Sequence, residues 1–132
     1  MRLRMTQRVS IPTENQEQRW LVKWLSFHPQ LKYFFCKNNN EGKRTPSQGF
    51  NLKLMGLRPG VSDLLVYYPT KVHHGLFLEV KRHMHYPPSA QKNKTWLAQE
   101  EFAQIVKSVG YEAKTCFGWE HGVKIIEEYL KT

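Results

Sequence analysis

Two acidic residues and one lysine have the types and the spacing that metal-dependent chemistry needs. Asp63 is the only aspartate in the 132-residue chain, and it follows a Pro-Gly turn at the start of an apolar run. Glu79 lies near the end of the next apolar run, and Lys81 follows two positions later. Because residues i and i+2 of a strand point to the same face, Glu79 and Lys81 should project together. An antiparallel hairpin of the two runs would bring them to Asp63 near the open end of the sheet.

The chemistry that suits this group is hydrolysis of a phosphodiester with the help of a metal ion. Two carboxylates and an ammonium group are costly to bury in apolar strands unless a cation compensates the acids. Mg²⁺ prefers oxygen ligands, keeps several waters and can bridge carboxylates to a phosphate. Lys81 would then orient or help activate the attacking water, or stabilise the developing negative charge. A buried ion-pair network without a catalytic role is the alternative explanation of the same residues.

The charge distribution supports the catalytic interpretation. The net charge is +9, from 20 Lys+Arg and 11 Asp+Glu. Between Glu41 and Glu100 the only acids are Asp63 and Glu79, whereas the same stretch holds nine Lys or Arg residues. A basic surface of this kind indicates a polyanionic partner, with nucleic acid ahead of an anionic membrane. A soluble basic domain without such a partner is the alternative.

Length and composition exclude several classes of protein. The chain suits one domain, and its 40% hydrophobic content is sufficient for a core. No apolar run approaches the length of a membrane span, and the basic N-terminus lacks the apolar stretch of a secretory signal. The two cysteines, Cys36 and Cys116, are far apart, so we expect both to pack in the core of a cytoplasmic protein.

The elements that must position these residues alternate between helix and strand. Thr13 and Gln16 form a capping box before a first helix that Pro29 ends, and Trp20 and Trp24 are expected in the core. The further predictions are strands over 31–36, 61–68, 76–80 and 111–117, a loop over 37–51, and helices from about 95 to Gly110 and over 119–131. In the helix from about 95 to Gly110, the predicted apolar stripe consists of Phe102, Ile105, Val106 and Val109. This order predicts an α/β or α+β fold with a mixed sheet, in which 1–12 is a basic arm and 13–132 a single domain.

At this point the chain resembles a known family. Asp63, fifteen intervening residues and then Glu79-Val80-Lys81 resemble the signature of PD-(D/E)XK nucleases. The ordered motifs around it, in 14–24, 53–64, 74–82 and 99–111, are more specifically similar to the VRR-NUC domain (virus-type replication-repair nuclease). The resemblance extends over 13–131 and is to the small stand-alone form found in phages and prophages.

The resemblance implies a fold and an activity. The fold would be a restriction-endonuclease-like core, α-β-β-β-α-β, with helices on both sides of a mixed sheet. The activity would be that of a Mg²⁺- or Mn²⁺-dependent DNA endonuclease in replication, repair or recombination, selective for branched DNA such as Holliday junctions. A homodimer would suit two symmetric cuts, and the setting would be the cytoplasm of a bacterial or phage-infected cell. A non-catalytic nucleic-acid-binding module on the same fold is the alternative function.

The resemblance also implies roles for individual residues. Asp63 and Glu79 would be metal ligands together with the backbone carbonyl of Val80, and Lys81 would be the catalytic lysine. The first helix would contribute Glu14 as a further catalytic residue and metal ligand, with Glu17 as its fallback. The second helix would contribute Gln99 as a catalytic residue. The basic residues expected to contact DNA are Lys43, Arg44, Lys53, Arg58 and Arg82, and a solvated face is their alternative explanation.

Overall fold

Four helices and four strands make up the described part of the chain. The computed structural model describes residues 11–38, 44–83 and 94–132. The elements are α1 (Glu14–Phe27), β1 (Phe35–Lys37), α2 (Pro46–Leu54), β2 (Leu64–Val66), β3 (Leu76–Lys81), α3 (Lys94–Ser108), β4 (Glu112–Phe117) and α4 (Trp119–Leu130). No helix among these has the length and apolar character to cross a membrane. Residues 1–10 of the predicted arm lie outside the described ranges.

The four strands form one mixed sheet in the order β1-β2-β3-β4. β2 pairs antiparallel with both β1 and β3, so the predicted hairpin is confirmed. β3 and β4 are parallel, and a parallel pair needs a crossover connection, which contains α3. With helices packed against this sheet, the predicted mixed α+β class is confirmed.

One face of the sheet carries the apolar core. Leu76, Leu78 and Val80 alternate along β3 and are at most 1% exposed. The other core residues are Leu21 and Leu25 of α1, Leu31, Leu64 and Val66 of β2, Cys116 of β4, and Ile126 and Tyr129 of α4. α1 and α4 therefore cover this face together, and their burial of leucine and isoleucine provides the main hydrophobic stabilisation.

The opposite face of β3 lies against α3. Phe77 packs edge-to-face on Phe102 of α3, with ring centroids 5.0 Å apart and planes at 85°. Glu79 and Lys81 follow Phe77 at intervals of two and so belong to the same face. The predicted common projection of Glu79 and Lys81 is therefore observed, and both side chains lie on the side of the sheet that α3 covers.

α3 covers less of the sheet than its sequence predicts. Phe102 and Val106 are half-buried, but Ile105 and Val109 are 57% and 60% exposed. The predicted four-residue stripe is therefore wrong for Ile105 and Val109. Only the narrower line of Phe102 and Val106 contacts the sheet. Gly110 ends this segment as predicted, with a φ of 99° that glycine adopts without the clash of a Cβ atom.

The loop predicted over 37–51 is wrong in its second half, where α2 begins. Thr45 Oγ1 accepts from the Gln48 N–H at 3.2 Å, and Gln48 Oε1 accepts from the Thr45 N–H at 2.9 Å. Pro46 lies in the first turn, where its missing N–H costs no helical hydrogen bond. No side chain of α2 is buried. The hydrophobic pattern therefore gave no helical signal, although the capping residues were present.

β1 and β2 are shorter than predicted. The strand expected over 31–36 is confined to Phe35–Lys37, because Leu31 lies in a turn. In that turn the N–H of Leu31 donates to His28 Nδ1 at 3.2 Å. The strand expected over 61–68 is confined to Leu64–Val66. Asp63 therefore lies immediately before β2 rather than inside it.

The two cysteines lie in opposite environments, and the prediction that both are core residues is wrong for Cys36, which is exposed. Cys116 is fully buried, and burial raises the pKa of its thiol to about 12. We expect a disulfide reagent such as DTNB, at mildly alkaline pH, to label Cys36 quickly and Cys116 only after unfolding. Thiol titration of the native and denatured protein measures this. Cys36→Ser is the matched control, and a fast native reaction in that variant would contradict the burial of Cys116.

Candidate active site

The register of the β2–β3 pair places the two predicted metal ligands opposite each other. Leu64 pairs with Leu78, so Asp63, one residue earlier, faces Glu79, one residue later. Asp63 Oδ2 accepts from the Val80 N–H at 2.8 Å, which holds its carboxylate against β3. The Asp63 carboxylate contributes to the raised pKa of the Glu79 carboxyl, so the two groups interact. The predicted meeting of the two acids at the open end of the sheet is therefore observed.

The backbone around Asp63 is held from two sides. The Asp63 carbonyl accepts from the N–H of Asn38, directly after β1, at 3.0 Å. On the other side, the Pro-Gly turn approaches α3 so closely that a Cβ atom on Gly60 would collide with the Ala98 carbonyl. Gly60 is buried and has a φ of 81°, so glycine is needed there for both reasons. The contact brings the turn before Asp63 beside Gln99, the next residue of α3.

Glu79 is the most enclosed carboxyl of the group, with 8% of the residue exposed. Gln99 Nε2 donates to Glu79 Oε1 at 2.9 Å. Lys81 Nζ lies 3.6 Å from the same oxygen. The prediction that Gln99 points inward is therefore confirmed, and its amide group holds the Glu79 carboxyl in position. The structure thus brings Asp63, Glu79, Lys81 and Gln99 into one cluster, in which their chemical roles stay predictions.

The electrostatics of this cluster suit a divalent cation. The pKa of the Glu79 carboxyl is raised to about 8, first by burial and second by the Asp63 carboxylate, whereas Lys81 opposes the shift. Two neighbouring carboxylates repel each other, and a cation between them would remove the repulsion. Mg²⁺ can be held in proteins by one or two carboxylates and keeps several waters. Asp63 and Glu79, with the Val80 backbone beside them, fit such an ion.

Neither acid of α1 joins the pair as a third ligand. Among the described residues, no three His, Cys, Asp or Glu side chains are grouped as a metal site requires. Glu14 begins α1 and is half-buried. Glu17 is 3% exposed, and its Oε2 accepts from the Trp119 N–H at 2.6 Å. Trp119 is the first residue of α4, whose N-cap, Gly118, has no side chain to offer. Glu17 therefore caps α4 from another helix, a role that sequence analysis missed.

The predicted DNA-contacting residues differ in how free their side chains are. Arg44 is half-buried, whereas Lys53 and Arg58 are exposed. Lys43 lies outside the described residues. Arg82 donates from Nε and Nη2 to the backbone carbonyls of residues 12 and 11, at 3.1 and 3.2 Å. Its guanidinium therefore ties β3 to the segment before α1, and phosphate contact would need these bonds to be shared or broken.

Comparison with known proteins yields one informative match. No family model matches the sequence, and no curated protein does. A solved structure described as a "VRR_NUC domain protein" superposes with a TM-score of 0.68 and 22% identity, over 92% of this chain and 91% of that chain. The chain has the fold of that VRR_NUC domain protein. The resemblance predicted from the ordered motifs is thereby confirmed at the level of the fold.

The two acids of α1 should differ in their effect on stability. Glu17→Ala leaves the partly buried Trp119 N–H without its partner, so we expect the free energy of unfolding to fall by about 1–3 kcal/mol. Glu14→Ala, in the same helical turn, should change it by less than about 0.5 kcal/mol. Urea unfolding followed by circular dichroism measures both variants. Equal losses would contradict the capping role of Glu17.

The raised pKa of Glu79 predicts how the stability of the VRR_NUC fold depends on pH in EDTA. The folded-state pKa of about 8 exceeds the ordinary value of 4.5. The stabilisation from the bound proton is therefore complete below about pH 4.5 and is lost as the pH rises through 8. We expect Glu79→Gln to flatten this part of the stability profile, whereas Glu127→Gln, at an exposed position of α4, retains it. Parallel profiles for wild type and Glu79→Gln would contradict the shift.

Proposed function

We propose that this protein is a divalent-metal-dependent DNA endonuclease that hydrolyses phosphodiester bonds in branched DNA. The observation that carries the proposal is the opposed pair Asp63 and Glu79, with the Lys81 ammonium 3.6 Å from Glu79. This cluster lies on a VRR_NUC fold and contains the only acids between Glu41 and Glu100 of a strongly basic chain. A buried ion-pair network accounts less well for it, because one ammonium group can balance only one carboxylate and the second carboxyl stays buried with its pKa raised to about 8.

The carboxyl groups would hold the metal and so organise the reaction. Asp63, Glu79 and the backbone carbonyl of Val80 would bind Mg²⁺ or Mn²⁺, which supplies Lewis acidity and lowers the pKa of bound water. Asp63 is already oriented by the Val80 N–H, and Glu79 by Gln99. Both side chains are therefore positioned before substrate arrives, which reduces the cost of ordering them during the reaction.

Lys81 would act on the phosphate and on the attacking water. Its side chain is half-buried on the same face of β3 as Glu79, so its positive charge is directed to the carboxylate end of the site. Hydrolysis adds water across one P–O bond, and negative charge grows on the phosphate oxygens as the water attacks. An ammonium group in this partly enclosed position would stabilise that charge. The products would be a phosphate monoester and a free hydroxyl group.

The excess of basic residues would hold the nucleic-acid backbone. Lys53, Arg58 and Arg44 are the described residues proposed for this role, and such contacts fix the position of DNA without reading its sequence. Selectivity for branched DNA in replication, repair or recombination is part of the proposal. It is supported by the motifs that resemble VRR-NUC domains. A homodimer that places two sites on a four-way junction is the form of the protein that this selectivity favours.

Cleavage of labelled DNA tests the proposal directly. Wild-type protein should cut a four-way junction, a flap or a splayed duplex in Mg²⁺ or Mn²⁺ and cut none of them in EDTA. We expect Asp63→Ala to abolish cleavage, because the metal loses a ligand, and Lys81→Ala to slow it by about 10²–10³-fold. Electrophoresis of the products measures cleavage, and binding in EDTA should change by less than about threefold in both variants.

Controls separate the enzyme from a binding module. Glu128→Ala removes an exposed glutamate of α4 and should leave cleavage unchanged. Undiminished metal-dependent cleavage by Asp63→Ala would overturn the assignment of the site. Binding without cleavage at any metal concentration would favour the non-catalytic module. A linear duplex in the same assay, with a mass measurement in solution, tests the branched-DNA preference and the dimer.

A further inference from the structure

A groove lined by three tryptophans lies on the side of the molecule formed by α1 and the start of α4. Its walls are Trp20 and Trp24 of α1 and Trp119 of α4, with Lys23, Phe27 and Pro29 also lining it. The volume is about 560 Å³, which is within the range of small-molecule sites. Trp20 is 43% exposed, so the prediction that it packs in the core is wrong. Trp24 is half-buried against the core, which makes it a rigid wall.

The start of α4 links one wall of the groove to the end of β3. Gly118, next to Trp119, donates its N–H to the carbonyl of Lys81 at 2.9 Å. The N–H of Trp119 itself is held by the Glu17 carboxylate. The indole wall is thus attached to the end of the strand that carries Glu79 and Lys81. Glu79 and Lys81 project from the other face of this strand, so the groove is a surface separate from the carboxylate site.

The chemistry of the groove suits one part of a nucleic acid. Exposed aromatic side chains bind planar bases by stacking, and such stacking tolerates any base. No acidic side chain of the described chain lines the groove, and Lys23 adds a positive charge for an adjacent phosphate. Bases inside a duplex are already stacked on their neighbours. Only an unpaired base could therefore enter.

We propose that the tryptophan groove binds an unpaired base of the nucleic-acid substrate. This inference rests on the proposed function and deepens it, because it assigns a single-stranded segment of the substrate to a specific surface. A flap, a splayed arm or an opened junction presents such a segment, whereas an intact linear duplex does not. The groove would therefore contribute to the preference for branched DNA by stacking.

The test compares two oligonucleotides of equal charge in EDTA, where no cleavage occurs. One is a short oligothymidylate, and the other is an abasic strand with the same number of phosphates. The wild-type chain should bind the oligothymidylate about tenfold more tightly, which is the order of one base–aromatic stack. Fluorescence anisotropy of the labelled strand measures affinity, and quenching of tryptophan emission reports the contact.

Variants locate the effect within the molecule. Trp20→Ala, and Trp20→Leu as a bulkier substitute in case alanine impairs folding, should bind both strands with the weaker affinity. Trp96→Phe is the matched control, because Trp96 is the remaining tryptophan of the chain and lies on α3, outside the groove lining. That variant should keep the tenfold preference, and thermal unfolding verifies that each protein is folded.

Several results would overturn the proposal. These are equal binding of the two strands by wild type, an unchanged preference in both folded Trp20 variants, or loss of the preference in Trp96→Phe. Quenching of the tryptophan emission by a proline-rich peptide and not by either strand would assign the groove to a protein ligand. A tryptophan emission that changes with protein concentration and not with either strand would assign the groove to a second copy of the chain. A protein that cleaves DNA in Mg²⁺ but binds both strands equally refutes the groove only. One that shows the base preference but never cleaves refutes the proposed function only.

Discussion

The opposition of Asp63 and Glu79 across the β2–β3 pair is the constraint on which the rest of the site depends. An antiparallel register brings directly opposed residues within a few ångströms, and here both of them are acids. The arrangement is unfavourable by itself, and the pKa of Glu79 is raised to about 8 by burial first and by the Asp63 carboxylate second. The surrounding structure must therefore hold two groups that would otherwise separate or take up a proton.

Three separate elements supply that support. β1 holds the backbone of Asp63 through the N–H of Asn38, and β3 holds its carboxylate through the N–H of Val80. α3 contributes Gln99 to Glu79. The close approach of Gly60 to α3 fixes the distance between the strand end and that helix.

Local sequence patterns predicted most of the frame and part of the site. The capping box at Thr13, the stop at Gly110 and the common face of Glu79 and Lys81 depend on neighbours within four residues, and all three are observed. The errors occurred where such patterns are weak. α2 buries no side chain, so its hydrophobic pattern did not indicate a helix. Ile105 belonged to a regular stripe, but a helix sequence does not state how much of a sheet the helix will cover.

The sequence by itself determined the kinds of groups at the site and their pairing across adjacent strands, because strand alternation and hairpin pairing are short-range rules. Only the tertiary structure decided which acid of α1 is buried and why. Glu17 meets the N–H of Trp119, a residue 102 positions away, so it caps a helix rather than joining the acid pair. The tryptophan groove has the same origin, since Trp20 and Trp119 belong to helices at opposite ends of the chain. Contacts over such separations depend on how the layers pack, and no local pattern encodes that packing.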